Sequence, residues 1–492
     1  NYIRWTMLDI KFIRENPEKV MEVCKAKQVK CEVERILELS DELKKYKTIQ
    51  QQIDTIKNKG SERIGTIQDP RLRERAINDT TSEVNGYLVR EKVDVEDERE
   101  IQTRIQGLEA EITKLQYEIP NIPLEGVPVG GKENNQVLRH VGKIPSFDFE
   151  KKDHLELGEA MDVIDMKRAA KVSGARFAYL KGDAVLLEFA LVQLVLKEAM
   201  DKGFNPIIPP VLIKQGLTEG LGYWQHDGNE DYYLVFDPRC WNCNHEINRE
   251  PKEIVCRECT SNDGRRGRTV KQVITEDGYI VCHNCNQEIR LISPYLVGTA
   301  EHTLVPMHQN ETFEERDLPK RYVGFSTAFR REAGSYGKDT RGILRVHQFD
   351  KVEFVSFTTP EQSREEHKFL ISLEEKLWQA LGIPYQVVQL ATGDSSLPSA
   401  STIDIEAWMP GQNKYREVSS ASNTTDFQAR RLNIRYHRRK GLGFVHILNA
   451  TGFAIGRTLI AILENYQQKD GGVEIPKVLQ GYMGKTKIER SA

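Results

Sequence analysis

The stretch that decides the fold runs from Phe329 to Glu353 and reads FRREAGSYGKDTRGILRVHQFDKVE. It gathers arginines, glycines and two glutamates in a pattern that predicts a strand, a loop and a second strand. A guanidinium can bind an α-phosphate or a carboxylate through two hydrogen bonds, and a neighbouring aromatic ring can cover a purine base. A plain charged hairpin on the surface has the same composition, so these residues alone leave both interpretations open.

The composition around this stretch is that of a large globular protein. The chain has 492 residues, 39% of them hydrophobic and 29% charged, with a formal net charge of −3. This length predicts two domains and allows an inserted third. Because lysine and arginine are nearly matched by acidic residues, any contact with nucleic acid must be local.

No segment of the sequence predicts a membrane span or an export signal. The longest apolar stretch, Ala184 to Met200, is interrupted by charged residues, and residues 1 to 6 lack an apolar core. Met7 is a better natural start, so we leave residues 1 to 6 out of the fold prediction. We therefore expect a cytoplasmic protein with no membrane partner.

The N-terminal quarter predicts a long helical arm. Apolar residues recur at steps of three and four from Leu39 to Ile56 and again from Ile101 to Ile119. Because each narrow stripe needs a partner, the two helices are expected to form an antiparallel coiled-coil hairpin, separated by a region around Gly60, Pro70 and Asn78. A coiled coil between two copies of the chain fits the same pattern.

A proline- and glycine-rich linker follows the arm and predicts a domain boundary near residue 125. The expected domains are an arm over 7–125 and a second domain over 126–492. In the second domain we predict helices near Ala184–Lys202 and Gly456–Gln467, and an irregular strand over Pro206–Ile213. Strand clusters without regular helix alternation indicate an α+β fold, an antiparallel sheet flanked by helices.

A cysteine-rich segment over 238–292 predicts a small insertion of the zinc-ribbon type. Thiolates two residues apart can bind one side of Zn²⁺, and a second pair completes the tetrahedron. Such a closed site would stabilise the fold and take no part in chemistry. One ion needs four of the six candidates, and His245 and His283 would allow two ions, so the pairing stays open. The candidate ligands are Cys240, Cys243, Cys256, Cys259, Cys282 and Cys285.

ATP, if it is used, must be bound without the usual glycine-rich loops. The chain has no Gly-x-x-x-x-Gly-Lys-Ser/Thr motif and no clear dinucleotide fingerprint. Four other segments accompany the arginine hairpin, and their order along the chain is part of the pattern. They are Gly203 to Val211, Thr299-Ala300-Glu301, Glu417 to Asn423 (EVSSASN) and Asn449 to Leu459 (NATGFAIGRTL).

This ordered set resembles the seryl-tRNA synthetases, which are class II aminoacyl-tRNA synthetases. Phe329 to Glu353 looks like motif 2, Asn449 to Leu459 like motif 3 and Gly203 to Val211 like a degenerate motif 1. The likeness covers the arm and most of the second domain and leaves out the cysteine insertion. It implies that the chain activates serine with ATP and then transfers it to the 3′ end of tRNA(Ser), and by the same likeness to tRNA(Sec).

The resemblance also assigns roles to residues. It implies that Arg330 bridges the serine carboxylate and the α-phosphate, and that Arg457 binds the γ-phosphate; these two are the expected catalytic residues. The implied serine-binding residues are Thr299, Ala300, Glu301, Arg330, Glu353, Asn449 and Thr451. The implied ATP-binding residues are Arg330, Arg331, Glu332, Val346, Phe349, Glu417, Val418, Ser419, Ser420 and Arg457. Glu417 and Ser420 would hold Mg²⁺ through hard oxygen ligands.

The implied partners are tRNA and a second copy of the chain. In the family the arm binds the tRNA backbone, and motif 1 implies a homodimer. Plausible phosphate contacts near the arm's tip are Lys57, Lys59, Arg63, Arg71 and Arg73. Two alternatives are a ligase that loads an amino acid onto a carrier protein, which the long arm disfavours, and an inactive paralogue, which the intact site residues disfavour.

Overall fold

The computed structural model describes most of the chain. The described residues are 8–91, 98–223, 232–233, 235, 294–332, 339 and 341–490, together with the backbone of four short strands between 254 and 290. The chain divides into two compact units, Asn1–Ile122 and Pro123–Ala492. Within the described ranges, no helix combines the length and the apolar character needed to cross a membrane.

The first unit is helical. Its helices are α1 (Ile10–Glu15), α2 (Pro17–Ala26), α3 (Val33–Gly65), α4 (Pro70–Arg90) and α5 (Glu98–Glu118). Helix α3 packs along both α4 and α5, so the apolar stripe that begins at Leu39 is buried within the chain itself. The apolar stripe of α3 is therefore covered by α4 and α5 of the same chain. At about 1.5 Å per residue, α3 is on the order of 50 Å long.

The predicted connection between the two arm helices was wrong, because it contains a helix, α4, that was not predicted. Gly60 and Asn78 were expected in the connection, but they lie inside α3 and α4, and the turn covers 66–69. Gly60 is needed for packing, since a Cβ there would lie 2.5 Å from the Thr80 side chain of α4. The glycine thus marks a close approach of two helices rather than a helix end.

The second unit is built around one large sheet. Its elements up to residue 223 are β1 (Gln136–Val141), α6 (His154–Ala160), β2 (Ile164–Asp165), α7 (Met166–Ser173), β3 (Tyr179–Leu180), α8 (Asp183–Met200), β4 (Asn205–Ile207), β5 (Leu212–Ile213) and α9 (Gln215–Leu221). The four short strands are β6 (Ile254–Thr260), β7 (Arg266–Val270), β8 (Tyr279–Val281) and β9 (Glu288–Arg290). The next elements are β10 (Tyr295–Leu296), α10 (Glu301–Leu304), β11 (Thr312–Glu314), β12 (Lys320–Phe329), β13 (Gln348–Thr358), α11 (Ser363–Leu381), β14 (Tyr385–Gln389), β15 (Ser401–Met409) and β16 (Lys414–Asn423). The last are α12 (Phe427–Leu432), β17 (Arg435–His437), β18 (Leu442–Phe444), β19 (His446–Ala454), α13 (Ile455–Asn465), β20 (Val473–Glu474), α14 (Lys477–Met483) and β21 (Lys487–Ile488).

The large sheet has eight strands in the order β1-β14-β15-β16-β19-β13-β12-β4. All neighbours pair antiparallel except β12 and β4, which are parallel. Helices α8, α11 and α13 pack against it and close a single large core. The α+β prediction is therefore confirmed, as are the two predicted long helices and the strand, loop and strand around Phe329–Glu353.

The predicted irregular strand over Pro206–Ile213 is two short strands in different sheets. Strand β4 joins the edge of the large sheet, whereas β5 pairs with β10. Because two prolines, Pro209 and Pro210, separate them and lack the N–H that a ladder requires, the chain cannot continue as one strand.

Candidate active site

The site is formed on the middle strands of the large sheet. Glu353 on β13 pairs directly with Thr451 on β19, so both side chains leave the same face. On the other side of β13, Glu353 pairs with Gly324 on β12. A Cβ at Gly324 would approach Ala300 to 3.2 Å and Leu304 to 2.8 Å. The glycine thus lets the start of α10 cover this part of the sheet.

Glu353 is a buried carboxyl with two partners. Thr451 donates its hydroxyl to Oε2 of Glu353 at 3.4 Å, and the Lys351 ammonium forms an ion pair with the same oxygen. Burial raises the pKa of Glu353 to about 7, although Lys351 acts to lower it. The nearby charge of Glu301 adds to the rise. Two acidic groups therefore face one small space.

Glu301 is held from two other directions. Its carboxylate accepts hydrogen bonds from the Tyr223 hydroxyl, 3.0 and 3.1 Å from its two oxygens, and from the Gln428 amide at 2.8 Å. Burial raises the pKa of Glu301, and Gln428 and Lys351 oppose that rise. Thr299 accepts a bond from the Glu301 N–H at 3.4 Å, which fixes the backbone of the Thr-Ala-Glu segment.

Arg330 directly follows β12, where its charge acts on three carboxylates of the site, those of Glu301, Glu353 and Glu417. Its Nε donates to the carbonyl oxygen of Gly298 at 3.2 Å, and its guanidinium lies 5.5 Å from the centre of the Phe349 ring. Burial raises the pKa of both Glu301 and Glu353, and the charge of Arg330 opposes the rise at each. The positive charge of Arg330 thus makes the space beside Glu301 and Glu353 suitable for binding an anion.

The residues that follow Arg330 form a polar rim. Arg331 is exposed, and Glu332 accepts a hydrogen bond from Arg345 at 2.9 Å. Val346 is buried and Phe349 half-buried. Arg345 thus helps to orient the Glu332 carboxylate, a group that offers only hydrogen-bond acceptors when it is ionised.

Glu417 and Arg457 form a second charged pair. Arg457 Nη1 donates to the Glu417 carbonyl at 2.7 Å and lies 3.3 Å from its Oε2. Desolvation works against ionisation of Glu417, but Arg457 and then Arg330 outweigh it and lower the pKa of this carboxyl. Glu417 is thus ionised at neutral pH.

The groups near Glu417 fit a hard divalent cation. Ser420 pairs across the sheet with Asp404, a buried carboxyl whose Oδ1 has no hydrogen-bond partner among the described residues. The described part of the chain brings no three acidic, histidine or cysteine side chains into one metal cluster. Mg²⁺ commonly needs only one or two carboxylates when substrate phosphates supply other ligands. Oxygen donors at Glu417 and Ser420 therefore suit Mg²⁺ bound together with a nucleotide.

Two predicted residues have side chains apart from the charged groups, and a third, Asn449, lies on the face of β19 that carries Thr451. Val418 is buried in the core, and Ser419 accepts a hydrogen bond from the Trp378 indole at 3.0 Å, so it points toward α11. Any contact of these two with ATP would have to use the backbone. Asn449 lies two residues before Thr451, and its Nδ2 has no partner among the described residues.

Sequence reasoning missed Lys351, Tyr223 and Gln428. A signal existed for Lys351, because it precedes Glu353 by two residues on a strand and so shares its face. Tyr223 and Gln428 are separated from Glu301 by 78 and 127 residues, and no local pattern points to them. The six cysteines of the predicted zinc site lie outside the described residues or, for Cys256 and Cys259, on a strand whose side chains are not described.

An antiparallel sheet with an arginine hairpin beside a buried acidic pocket is the core of a class II aminoacyl-tRNA synthetase. In agreement, residues 279–466 match the tRNA synthetase class II core domain (G, H, P, S and T). Residues 7–123 match the seryl-tRNA synthetase N-terminal domain.

Whole-chain relatives narrow the class to one family. The serine–tRNA ligase of Thermodesulfovibrio yellowstonii is 38% identical over 97% of this chain and 99% of its own length. That of Nitrosopumilus maritimus is 35% identical over 98% of this chain and 100% of its own. The crystal structure of seryl-tRNA synthetase from Pyrococcus horikoshii complexed with ATP covers 99% of this chain and 100% of that one, with a TM-score of 0.79 and 35% identity. The chain belongs to the seryl-tRNA synthetase family, the serine–tRNA ligases.

Proposed function

We propose that this site activates serine with ATP as seryl-adenylate and then transfers the seryl group to tRNA(Ser), with the roles that follow. An oxygen of the serine carboxylate attacks the α-phosphorus, and the bond to the pyrophosphate oxygen breaks. A terminal ribose hydroxyl of the tRNA then attacks the carbonyl carbon of seryl-adenylate, and AMP leaves. The observation that carries the proposal is the position of Arg330, whose charge acts on Glu301, Glu353 and Glu417 at once.

Arg330 stabilises the first step by neutralising two anions that must meet. Serine carboxylate and α-phosphate repel each other, and the transition state adds charge at the phosphorus. A guanidinium between them offers two parallel donors. No side-chain base is needed, because the attacking carboxylate is already ionised.

The pocket of Glu353 and Thr451 selects the serine hydroxyl. A pocket that hydrogen-bonds a hydroxyl rejects a substrate without one, because its own buried groups would stay unpaired. Thr299 and Glu301 receive the α-ammonium, while Ala300 and Asn449 shape the walls. The buried position of Glu353 supports this role, since a buried carboxyl that loses one of its hydrogen-bond partners costs free energy.

The nucleotide lies along the rim. Phe349 stacks on adenine, Glu332 accepts from its amino group, and Arg331 and Val346 line the same part of the site. Arg457 binds the γ-phosphate, and the backbone of Val418 and Ser419 borders the ATP. Glu417 and Ser420 hold Mg²⁺, which when bound offsets phosphate charge.

The remaining parts serve tRNA binding, assembly and folding. Residues 7–125 form the tRNA-binding arm, residues 126–492 form the catalytic domain, and 238–292 form an insertion that binds structural Zn²⁺. The enzyme is a homodimer through the motif 1 region. Exposed apolar side chains support this assignment: Ile208, within the motif 1 segment, is 84% exposed, and Phe189, on the preceding helix α8, is 52% exposed.

Serine-dependent exchange of pyrophosphate into ATP tests the chemistry. Wild-type enzyme should exchange with serine but not with alanine. Arg330→Ala should lower kcat by about 100-fold or more, whereas Arg316→Ala, at a surface position 85% exposed, should leave it unchanged. No exchange by pure wild-type enzyme would overturn the proposal.

A further inference from the structure

The strand that carries Thr451 contains a β-bulge. Val352 pairs with Phe453 and Glu353 with Thr451, so Gly452 has no partner on β13. Side chains two apart on a regular strand share a face, but the extra residue separates them. Thr451 therefore points toward Glu353, while Phe453 packs against Trp378 on the opposite face of the sheet.

Glycine is the residue that the bulge can accommodate. A Cβ at position 452 would lie 2.8 Å from Val195 and 3.3 Å from Phe354, two buried core side chains. The bulge is thus packed tightly from the helix side, and its backbone has no open space around it.

A bulge leaves backbone groups without ladder partners, and α11 supplies partners here. Glu374 accepts a hydrogen bond from the N–H of Thr451 at 3.0 Å through Oε1. One turn later, Trp378 donates at 3.0 Å to Ser419, which in turn donates to the carbonyl of Gly452 at 3.5 Å. Two side chains at i and i+4 of one helix therefore hold both ends of the irregular peptide.

Glu374 is an unusual residue for this position, because it is fully buried in an acidic neighbourhood. Its exposure is 0%, and its Oε2 has no hydrogen-bond partner among the described residues. Burial raises the pKa of Glu374 well above its usual value, and the charges of Asp404 and Glu353 add to the rise. For packing alone a leucine would give a more stable fold, since a buried carboxyl with one oxygen lacking a hydrogen bond lowers stability.

We propose that Glu374 is a positioning residue for serine selection: by holding the Thr451 N–H, it fixes the bulge that turns the Thr451 hydroxyl toward Glu353. The inference rests on the proposed serine pocket and adds to it a residue outside the pocket. Glu374 touches no substrate and acts only through the backbone of β19.

The test measures pyrophosphate exchange by three variants, two at Glu374 and one at Trp378. Glu374→Met keeps an unbranched chain of similar length without an oxygen and should raise KM for serine by about tenfold or more. KM for ATP should stay within about twofold, because the nucleotide groups lie on other elements. Glu374→Gln keeps the accepting oxygen and should remain within about threefold of wild type in KM for serine. Trp378→Phe keeps the ring against Phe453, removes the donor to Ser419 and should give a smaller change in the same direction.

Two controls separate positioning from general loosening and from failure of the pocket itself. Leu381→Ala removes core packing at the far end of α11 and should lower the melting temperature without a selective effect on KM for serine. Equal rises in both KM values for Glu374→Met, or no rise, would overturn the inference. If Thr451→Val raises KM for serine and Glu374→Met does not, only the inference fails. If Thr451→Val has no effect, the proposed pocket is wrong and the inference falls with it.

Discussion

The Thr451 hydroxyl lies 3.4 Å from Oε2 of Glu353. The two residues are directly paired on the neighbouring strands β19 and β13. These two groups come from segments about a hundred residues apart in the chain. They meet because β13 and β19 are adjacent in the sheet order and because the bulge at Gly452 sets the phase of β19. The geometry of this pair, and with it the proposed serine selection, therefore depends on strand register as much as on residue type.

The first prediction concerns the hydroxyl of Thr451. Thr451→Val is close in shape but cannot hydrogen-bond serine or Glu353, so kcat/KM for serine should fall by about 10- to 100-fold. Thr451→Ser keeps the hydroxyl and should stay within about threefold of wild type. The measurement is pyrophosphate exchange at varied serine.

A matched control is Thr402→Val, which removes a buried hydroxyl from the same sheet that bonds Ser399 and Ser422. It should lower stability without a selective change in KM for serine. A loss shared equally by Thr402→Val and Thr451→Val would contradict the specific role of Thr451.

The second prediction is a pH dependence set by Glu353. Burial raises its pKa to about 7, so below pH 7 the carboxyl is mostly neutral and above it mostly ionised. If the ionised form accepts from the serine hydroxyl, kcat/KM for serine should rise up to pH 7 and level off above it. Glu353→Gln should have lower activity and should flatten this part of the profile.

Ionisation of Glu353 should have the opposite effect on stability: the free energy of unfolding should fall as the pH rises. The pKa of Glu353 is higher in the folded protein than the value of 4.5 expected when unfolded. Its stabilising contribution is complete below pH 4.5 and is lost as the pH rises from 4.5 through 7. The loss is on the order of 3 kcal/mol by linkage. Relative to Glu353→Gln, wild type should therefore lose unfolding free energy over that range in urea titrations. Equal slopes for the two proteins would contradict the raised pKa.

The sequence predicted the site's strongly patterned parts and missed its long-range supports. Arg330 and Glu353 lie in one continuous stretch whose strand, loop and strand pattern is local, so the pattern predicted their strands, while the roles proposed for them came from the family resemblance. Gln428 contacts Glu301 on α10, and Glu374 contacts the backbone of Thr451 on β19; both partners are far away in sequence. A buried glutamate on a helix has no local signature. The bulge at Gly452 was equally hidden, because a register shift depends on the partner strand.

The arm shows the same limit for helix ends. Gly60 reads as a helix breaker by propensity, yet the close approach of Thr80 requires a residue without a side chain at that point of α3. Tertiary packing thus outweighed propensity. The heptad pattern itself was a reliable guide, because the same stripe becomes the buried seam.

The third prediction concerns the arm's tip. Lys57 and Lys59 are exposed on α3, whereas Arg63 bonds Glu83 at 3.3 Å and Thr80 at 3.2 Å across to α4. The double change Lys57→Glu and Lys59→Glu should raise KM for tRNA and reduce the dependence of binding on salt. Pyrophosphate exchange without tRNA should be unchanged.

The control for the arm is the same charge change made earlier on the helix, at the exposed Lys44 and Lys45. That variant should bind tRNA nearly as wild type does if the contact is confined to the tip. Unchanged KM for tRNA in the tip variant would contradict the proposed contact, and loss of exchange would indicate damage to the fold instead.

The fourth prediction is that the purified enzyme contains structural zinc. Paired thiolates of the insertion should bind about one or two ions per chain, as measured by mass spectrometry of the metal. Changing Cys240 and Cys243 to serine, and then each later pair in turn, should release zinc for every pair that binds it. Because one tetrahedral ion needs only two pairs, a single silent pair would indicate one ion, and three responsive pairs would favour a second. Cys24→Ser with Cys31→Ser is the matched control, since these cysteines form a disulfide between α2 and the segment that precedes α3, and their loss should leave the zinc content unchanged. Metal content near zero in the wild-type enzyme would refute the assignment.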